Sequence, residues 1–253
     1  MASIHGPHSW QRRTDVTRLP SCISAIGHPA DHDPASCTGE SSCSSALQCR
    51  ARRLERHQHA FFQNDPQAHV HWVKSGVMRL YKNLANGRRQ IIGFAFPGEF
   101  VGLGTGSCYH FSAQAIEATE LRSMSKPAFE AAAFDDLQFS SKLYQAVSLD
   151  LARAYDLALT VGQRDSQASL AMFLLEMNTR TAPATGATDT VLLPMPRSDI
   201  ADYLGLTTET ISRNFSKFAR LGVIRILGRR HIRLTRRAML LQMAEGLPET
   251  ACS

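Results

Sequence analysis

A chain of 253 residues, 43% hydrophobic and 20% charged, has enough apolar material for two cored domains and the composition of a globular protein. Its net charge of +6 favours an acidic partner, and no apolar run approaches the ~18 residues of a membrane helix. The N-terminal MASIHGPHSWQRR lacks the apolar core of a secretory signal, so the expectation is a cytoplasmic protein with mostly reduced cysteines and no membrane partner.

Residues 1–50 are rich in Ser, Ala, His, Pro and Cys without a sustained period, and read as a flexible arm. Cys22, Cys37, Cys43 and Cys49 lie there, the last three with five residues between neighbours. That spacing is neither a zinc ribbon nor a CxxC pair, which leaves unliganded thiols, a redox site or a cluster open. Residues 51–135 read as a β-domain. Strand-like runs at 70–74 and 77–83 flank Ser75-Gly76, Asn86-Gly87 is a hairpin signal before 89–96, and Pro97-Gly98 makes another turn before runs at 113–116 and 121–125. Short strands with closely spaced turns suggest a small barrel or β-roll.

Two pairs, His57/His59 and His69/His71, sit in or beside candidate strands, where i and i+2 share a face. They could seat zinc if further ligands converged; otherwise they are ordinary strand residues. The run Gly102-Leu103-Gly104-Thr105-Gly106 lacks the lysine and the following helix of a phosphate-binding loop. With no GxSxG, no HExxH and no legible carboxylate pair, the expectation is that the chain is not an enzyme.

Lys126-Pro127-Ala128 opens a short helix through Ala133, and a longer helix occupies 136–163. Within it Leu143, Val147, Leu151, Ala154, Ala158 and Val161 follow one another at steps of three and four, close to a coiled-coil seam. Such a stripe either packs on its own β-domain or forms a dimer interface, and the dimer is the expectation. A helix at 166–181 presents Leu170, Phe173, Leu174 and Met177, and 182–189 reads as a loop.

The segment 164–245 carries the clearest signal. Ser198 can cap a short helix with Ile200, Ala201 and Leu204 on one face, Gly205 stops it, and Thr207 or Thr208 caps the next helix. There Ile211, Phe215 and Phe218 form the apolar face, while Glu209, Ser212, Arg213, Ser216, Lys217 and Arg220 line the other. This is the pattern of a helix-turn-helix. Arg213 can donate two hydrogen bonds to guanine, Glu209 can accept from cytosine N4, and Ser212 can reach a neighbouring base. Ser198, Thr207, Thr208, Lys217 and Arg220 are placed for phosphates. Runs at 223–227 and 231–235 alternate around Gly228-Arg229-Arg230, a wing-like hairpin whose two arginines add phosphate contacts. From Arg213 to Arg237 nine basic residues occur, with no acidic residue between Glu209 and Glu245, so a polyanion would dock here. Residues 246–253 read as a frayed tail.

From about residue 52 to 243 the chain resembles the CRP/FNR family of bacterial transcription regulators, most like its FNR and FixK branch. WVKSGVMRLYKNLANGRRQIIGFAFPGEFVGL (72–103) and LPMPRSDIADYLGLTTETISRNFSKFARLGVI (193–224) carry the likeness. The resemblance implies an α+β fold: a cyclic-nucleotide-binding-like β-roll, a long dimerisation helix and a C-terminal winged helix-turn-helix. It implies a homodimer that touches RNA polymerase and activates genes of low-oxygen respiration or nitrogen fixation. Glu209, Ser212 and Arg213 match the family's E-x-x-S-R pattern, which implies a palindrome of TTGA and TCAA half-sites. Cyclic-nucleotide members hold the phosphate with an Arg-Ser pair, but Phe111 stands at that arginine's place, so the resemblance implies no such ligand. Oxygen-sensing members carry a [4Fe–4S] cluster on four cysteines. Cys37, Cys43, Cys49 and Cys108 are the candidates here, but their spacing departs from that pattern and the family's β-roll cysteine maps to about Arg122. No cofactor is expected, as in FixK-type members.

Overall fold

In the computed structural model, which describes residues 49–246 apart from 86 and 164, the chain first builds two antiparallel four-stranded sheets. One holds β1 (Arg50–Leu54), β8 (Thr119–Ser125), β3 (His69–Ser75) and β6 (Phe100–Val101), in that order. The other orders β2 (His59–Phe61), β7 (Ser112–Ala115), β4 (Met78–Asn83) and β5 (Arg89–Ala95). The strands bury residues on both faces: Val73 and Met78 pack with Ala113 and Leu121 inside the β-roll, Tyr81, Ile91 and Phe94 enter a second cluster, and Val70 a third. The five strand runs legible in the sequence lie within one or two residues of β3, β4, β5, β7 and β8. Strands β1, β2 and β6 have no counterpart among them; β6 is two residues long, β2 three, and β1 shows only Leu54 buried, so none displays a period.

Helix α1 (Lys126–Asp135) starts with a proline in its first turn, and α2 (Leu137–Gln163) runs for 27 residues. Leu143, expected in the seam, is half-buried and packs with Phe139 against Val70 and Met124 of the β-roll and Phe129 of α1. Tyr144, Val147, Leu151, Ala154, Tyr155 and Ala158 are exposed instead. The side chain of Val161 lies outside the described residues, as do Cys22, Cys37, Cys43 and the expected arm and tail except residues 49, 50 and 246.

Helix α3 (Ser166–Thr185) is capped by the Asp165 carboxylate, which accepts from the Gln167 N–H. It continues four residues into the expected loop. Gly186, at φ +63°, ends it in the left-handed conformation that glycine adopts without strain. Next come β9 (Thr190–Leu192), α4 (Arg197–Leu204), α5 (Thr208–Arg220), β10 (Ile224–Ile226), β11 (His231–Leu234) and α6 (Arg237–Ala244). The three strands form one antiparallel sheet in the order β10-β11-β9. The wing is thus three-stranded where the sequence suggests a hairpin, because β9 is too short to alternate visibly; α6 has no counterpart in the sequence reading either.

One continuous core joins the β-roll to the winged helix. Val77, Tyr81, Ile91, Phe94 and Phe96 cluster with Leu170, Phe173 and Leu174 of α3, Tyr203 and Leu204 of α4, and Ile211, Phe215 and Phe218 of α5. The Phe94 and Tyr203 rings lie 5.4 Å apart, tilted against each other.

Candidate nucleic-acid interface

Helices α4 and α5 meet at the Gly205 turn (φ +69°), where the Gly205 N–H donates to the Ala201 carbonyl. Thr207 caps α5, its hydroxyl accepting from the Thr210 N–H at 3.1 Å. Ser198 does not cap α4. That position belongs to Pro196, whose carbonyl accepts from the N–H groups of Asp199 and Ile200 at 3.0 and 3.2 Å. Pro196 combines a helix-like φ of −71° with an extended ψ of 163°, so the turn into the helix is made there. Ser198 lies exposed inside the first turn.

Burial of Ile211, Phe215 and Phe218 fixes which face α5 turns outward. A shallow open groove there is lined by Glu209, Ser212, Arg213, Ser216, Lys217 and Arg220. The Glu209 and Arg213 side chains, 71% and 74% exposed, are joined to each other by an ion pair one turn apart. Ser212 donates its hydroxyl back to the Thr208 carbonyl at 2.8 Å, and Ser216 likewise to that of Ser212 at 3.0 Å. The base-reading candidates thus share one exposed surface with Arg220 and the half-buried Lys217. At the wing, Arg229 is exposed, whereas Arg230 donates to Glu117 of the β-roll at 2.7 Å. Arg230, expected at a phosphate, is 45% exposed and paired with that carboxylate 113 residues away in sequence.

Several residues that position this surface carry no local sequence signal. The Arg197 guanidinium, at the first position of α4, lies 3.1 Å from the ring centroid of Phe215. Burial pushes its pKa down to about 10, which leaves it charged at neutral pH, and its Nη1 has no hydrogen-bond partner. Asp199 is 1% exposed and accepts from Arg79 Nη1 at 2.8 and 3.1 Å and from Arg89 Nη2 at 2.8 Å. Arg89 also reaches Asp202, at 2.6 Å. These pairs span more than a hundred residues, so no window of sequence could have displayed them.

A cavity of about 320 Å³ lies between the β-roll, α2 and α3, and Phe111 is part of its lining. Its two guanidiniums are already engaged: Arg180 with Glu99 at 2.7 Å and Glu176 at 3.1 Å, and Arg153 with Glu99 at 3.0 Å and Asp150 at 3.1 Å. Three carboxylates against two guanidiniums make a poor seat for a phosphate. Cys49 and Cys108 are both exposed; burial raises the Cys49 pKa, with nearby Arg122 opposing. Among the described residues no three His, Cys, Asp or Glu side chains gather to hold a metal ion, and Cys37 and Cys43 lie outside them. His71 is buried with Nδ1 2.7 Å from the Ser123 hydroxyl, His59 bonds the Tyr81 hydroxyl at 2.8 Å, and His57 sits in a turn at φ +71°.

Residues 168–243 match the family model of the Crp-like helix-turn-helix domain, and residues 51–136 that of the cyclic nucleotide-binding domain. The chain is 42% identical to the nitrogen fixation regulation protein FixK of Bradyrhizobium diazoefficiens over 66% of its own length and 70% of that protein's. It is 39% identical to the transcriptional activatory protein AadR of Rhodopseudomonas palustris, over 69% and 76%. Among solved structures, FixK2 from Bradyrhizobium japonicum superposes with a TM-score of 0.72 at 35% identity, covering 78% of this chain and 97% of that one.

Proposed function

The chain belongs to the CRP/FNR family of transcription regulators, in its FixK/FNR branch, and we propose that it binds a TTGA/TCAA palindrome as a homodimer to activate genes of low-oxygen respiration or nitrogen fixation. It is a DNA-binding regulator and not an enzyme. The observation that carries the finer reading is the outward face of α5. Glu209, Ser212 and Arg213 stand exposed there on a helix whose opposite face is locked into the core. In the major groove Arg213 turns its two donors to guanine O6 and N7, Glu209 accepts from cytosine N4, and Ser212 takes a neighbouring base or phosphate. Lys217, Arg220 and Arg229 neutralise phosphates; Thr207, Thr208 and Ser198, at the exposed start of α4, add hydrogen bonds. Arg230 joins them only by giving up Glu117.

Dimerisation follows the exposed stripe Tyr144, Val147, Leu151, Ala154 and Ala158, an apolar face of α2 that its own β-roll leaves uncovered. Two-fold pairing doubles the contacts that one short half-site allows, and a two-fold protein reads a palindrome. The regulator works in the cytoplasm and recruits RNA polymerase. It needs neither cyclic nucleotide nor cluster, a reading supported by the engaged arginines beside Phe111 and by Arg122 at about the place of the family's β-roll cysteine. The name of FixK supports nitrogen fixation as the regulon, and that of AadR supports activation.

Titrating air-purified protein against a TTGA/TCAA duplex and a scrambled duplex tests this. Preference for the palindrome in air is the expected result. No preference in air but recovery under argon would move the cysteines into the sensor; failure in both would overturn the assignment of base-reading residues.

A further inference from the structure

The β-roll and the winged helix are joined by a charged lattice on α4, the helix that does not read bases. Arg79 of β4 donates to both Asp199 oxygens, and Gln114 steadies it from β7: its Oε1 accepts from Arg79 Nε at 2.8 Å while its Nε2 donates to the His57 carbonyl at 2.7 Å. Arg89 of β5 bridges Asp199 and Asp202, and the neighbouring Gln90 donates to the Asp202 carbonyl at 2.5 Å. Two guanidiniums face two carboxylates, so the joint carries no surplus charge for phosphate to claim. The apolar contacts around it are non-directional and would let α4 pivot; forked guanidinium–carboxylate bonds have a preferred geometry and resist that rotation. Because α4 is packed on α5 across the Gly205 turn, whatever fixes the angle of α4 fixes that of the recognition face.

We propose that Arg79, Arg89, Asp199 and Asp202 are positioning residues that set the angle of the recognition helix on the β-roll, and so the half-site spacing that the dimer accepts. This rests on the homodimer-on-palindrome reading above. One extra base pair between half-sites moves the second site about 3.4 Å along the duplex and about 35° around it. A rigid joint must strain to follow; a loosened one follows freely.

The test uses the full chain on duplexes whose half-site spacer is the cognate length or one base pair shorter or longer, with a single half-site as control. Wild type, Arg89→Gln, Asp202→Asn, the double variant and Arg89→Lys are compared. The expected result is that Arg89→Gln and Asp202→Asn each discriminate spacers about five- to ten-fold less than wild type, a coupling of ordinary size for residues in contact. The double variant should be no worse than the weaker single one, Arg89→Lys should fall between, and affinity for the half-site should not change. Should Arg89→Gln fail to fold, Asp202→Asn, on the one-third-exposed edge of the lattice, decides alone. A spacer profile identical to wild type in folded variants overturns the inference, as does equal loss on half-site and palindrome. A wild type that ignores the palindrome would overturn the reading beneath it as well, and so stands apart from those failures.

Discussion

Glu209 and Arg213 of the recognition helix are bonded to each other across a single turn. Both are mostly exposed, so the pair adds little to stability; it holds two long side chains extended over the same surface. On DNA each must exchange its partner for a base edge. Arg213→Ala should lose about 1–3 kcal/mol on the palindrome and flatten preference at one base pair. Competition titrations with single-base variants of the site measure this, and equal loss on random DNA would remove the base-reading role.

Lys217→Ala and Arg220→Ala should behave differently. A phosphate contact carries no sequence information, so binding should weaken alike on specific and random duplexes. The salt slope should become shallower by about 0.9 for each phosphate no longer neutralised. Affinity measured across a range of salt separates this from Arg213→Ala, and a slope unchanged from wild type would take these two residues off the backbone.

The exposed face of α2 predicts what one charge should do. Leu151→Glu puts a carboxylate in the middle of the stripe and should halve the mass seen by light scattering. Affinity for the full palindrome should then fall by at least about 100-fold, the scale of lost bivalency. A variant that stays dimeric would move the interface elsewhere.

His71 makes stability depend on pH. Burial, with the charges of Arg52 and His69, pushes its pKa down from 6.5 to about 4. A depressed histidine means the unfolded chain binds the proton first, so stability is complete above about pH 6.5 and declines as pH falls toward 4. Between pH 7 and pH 5 the loss should be about 2 kcal/mol. Thermal melts of wild type against His71→Asn, which keeps a partner for Ser123, should show the variant's slope flattened. Parallel slopes would assign the dependence to other groups.

Asp199→Ala should be the most damaging single change in the reader outside its apolar core. It leaves Arg79 buried without a counter-charge, its one remaining partner the neutral Gln114 side chain, at a cost of about 3–5 kcal/mol. The melting temperature should drop by roughly 6–20 °C for a chain of this size. A drop within a degree or two would show that water or a rearranged Asp202 replaces the carboxylate.

What is legible in the sequence follows from the range of each interaction. Thr207, Gly205 and the spacing of Ile211, Phe215 and Phe218 are local, and the structure has each in its expected role. A serine before an apolar period is an ordinary cap signal, which is why Ser198 reads as one; only the ψ of Pro196 shows that the helix starts earlier. Leu143 and Tyr144 are neighbours, and periodicity alone does not say which the β-roll claims. Arg230 reads as a free wing cation because Glu117, its partner, is remote in sequence. Asp199 and Asp202 read as the acidic flank of a short helix; their partners 110 to 120 residues away give them meaning.

The shared core has its own consequence for how this regulator can be taken apart. Phe94 of the β-roll rests on Phe173 and Tyr203, so cutting the chain after α2 would strip one wall from the packing beneath the reader. The excised C-terminal piece would display those rings to water and stick to its own copies, and the intact chain should melt in one cooperative step instead of two. Grafting this reader onto a foreign sensor therefore requires transplanting the aromatic floor along with it.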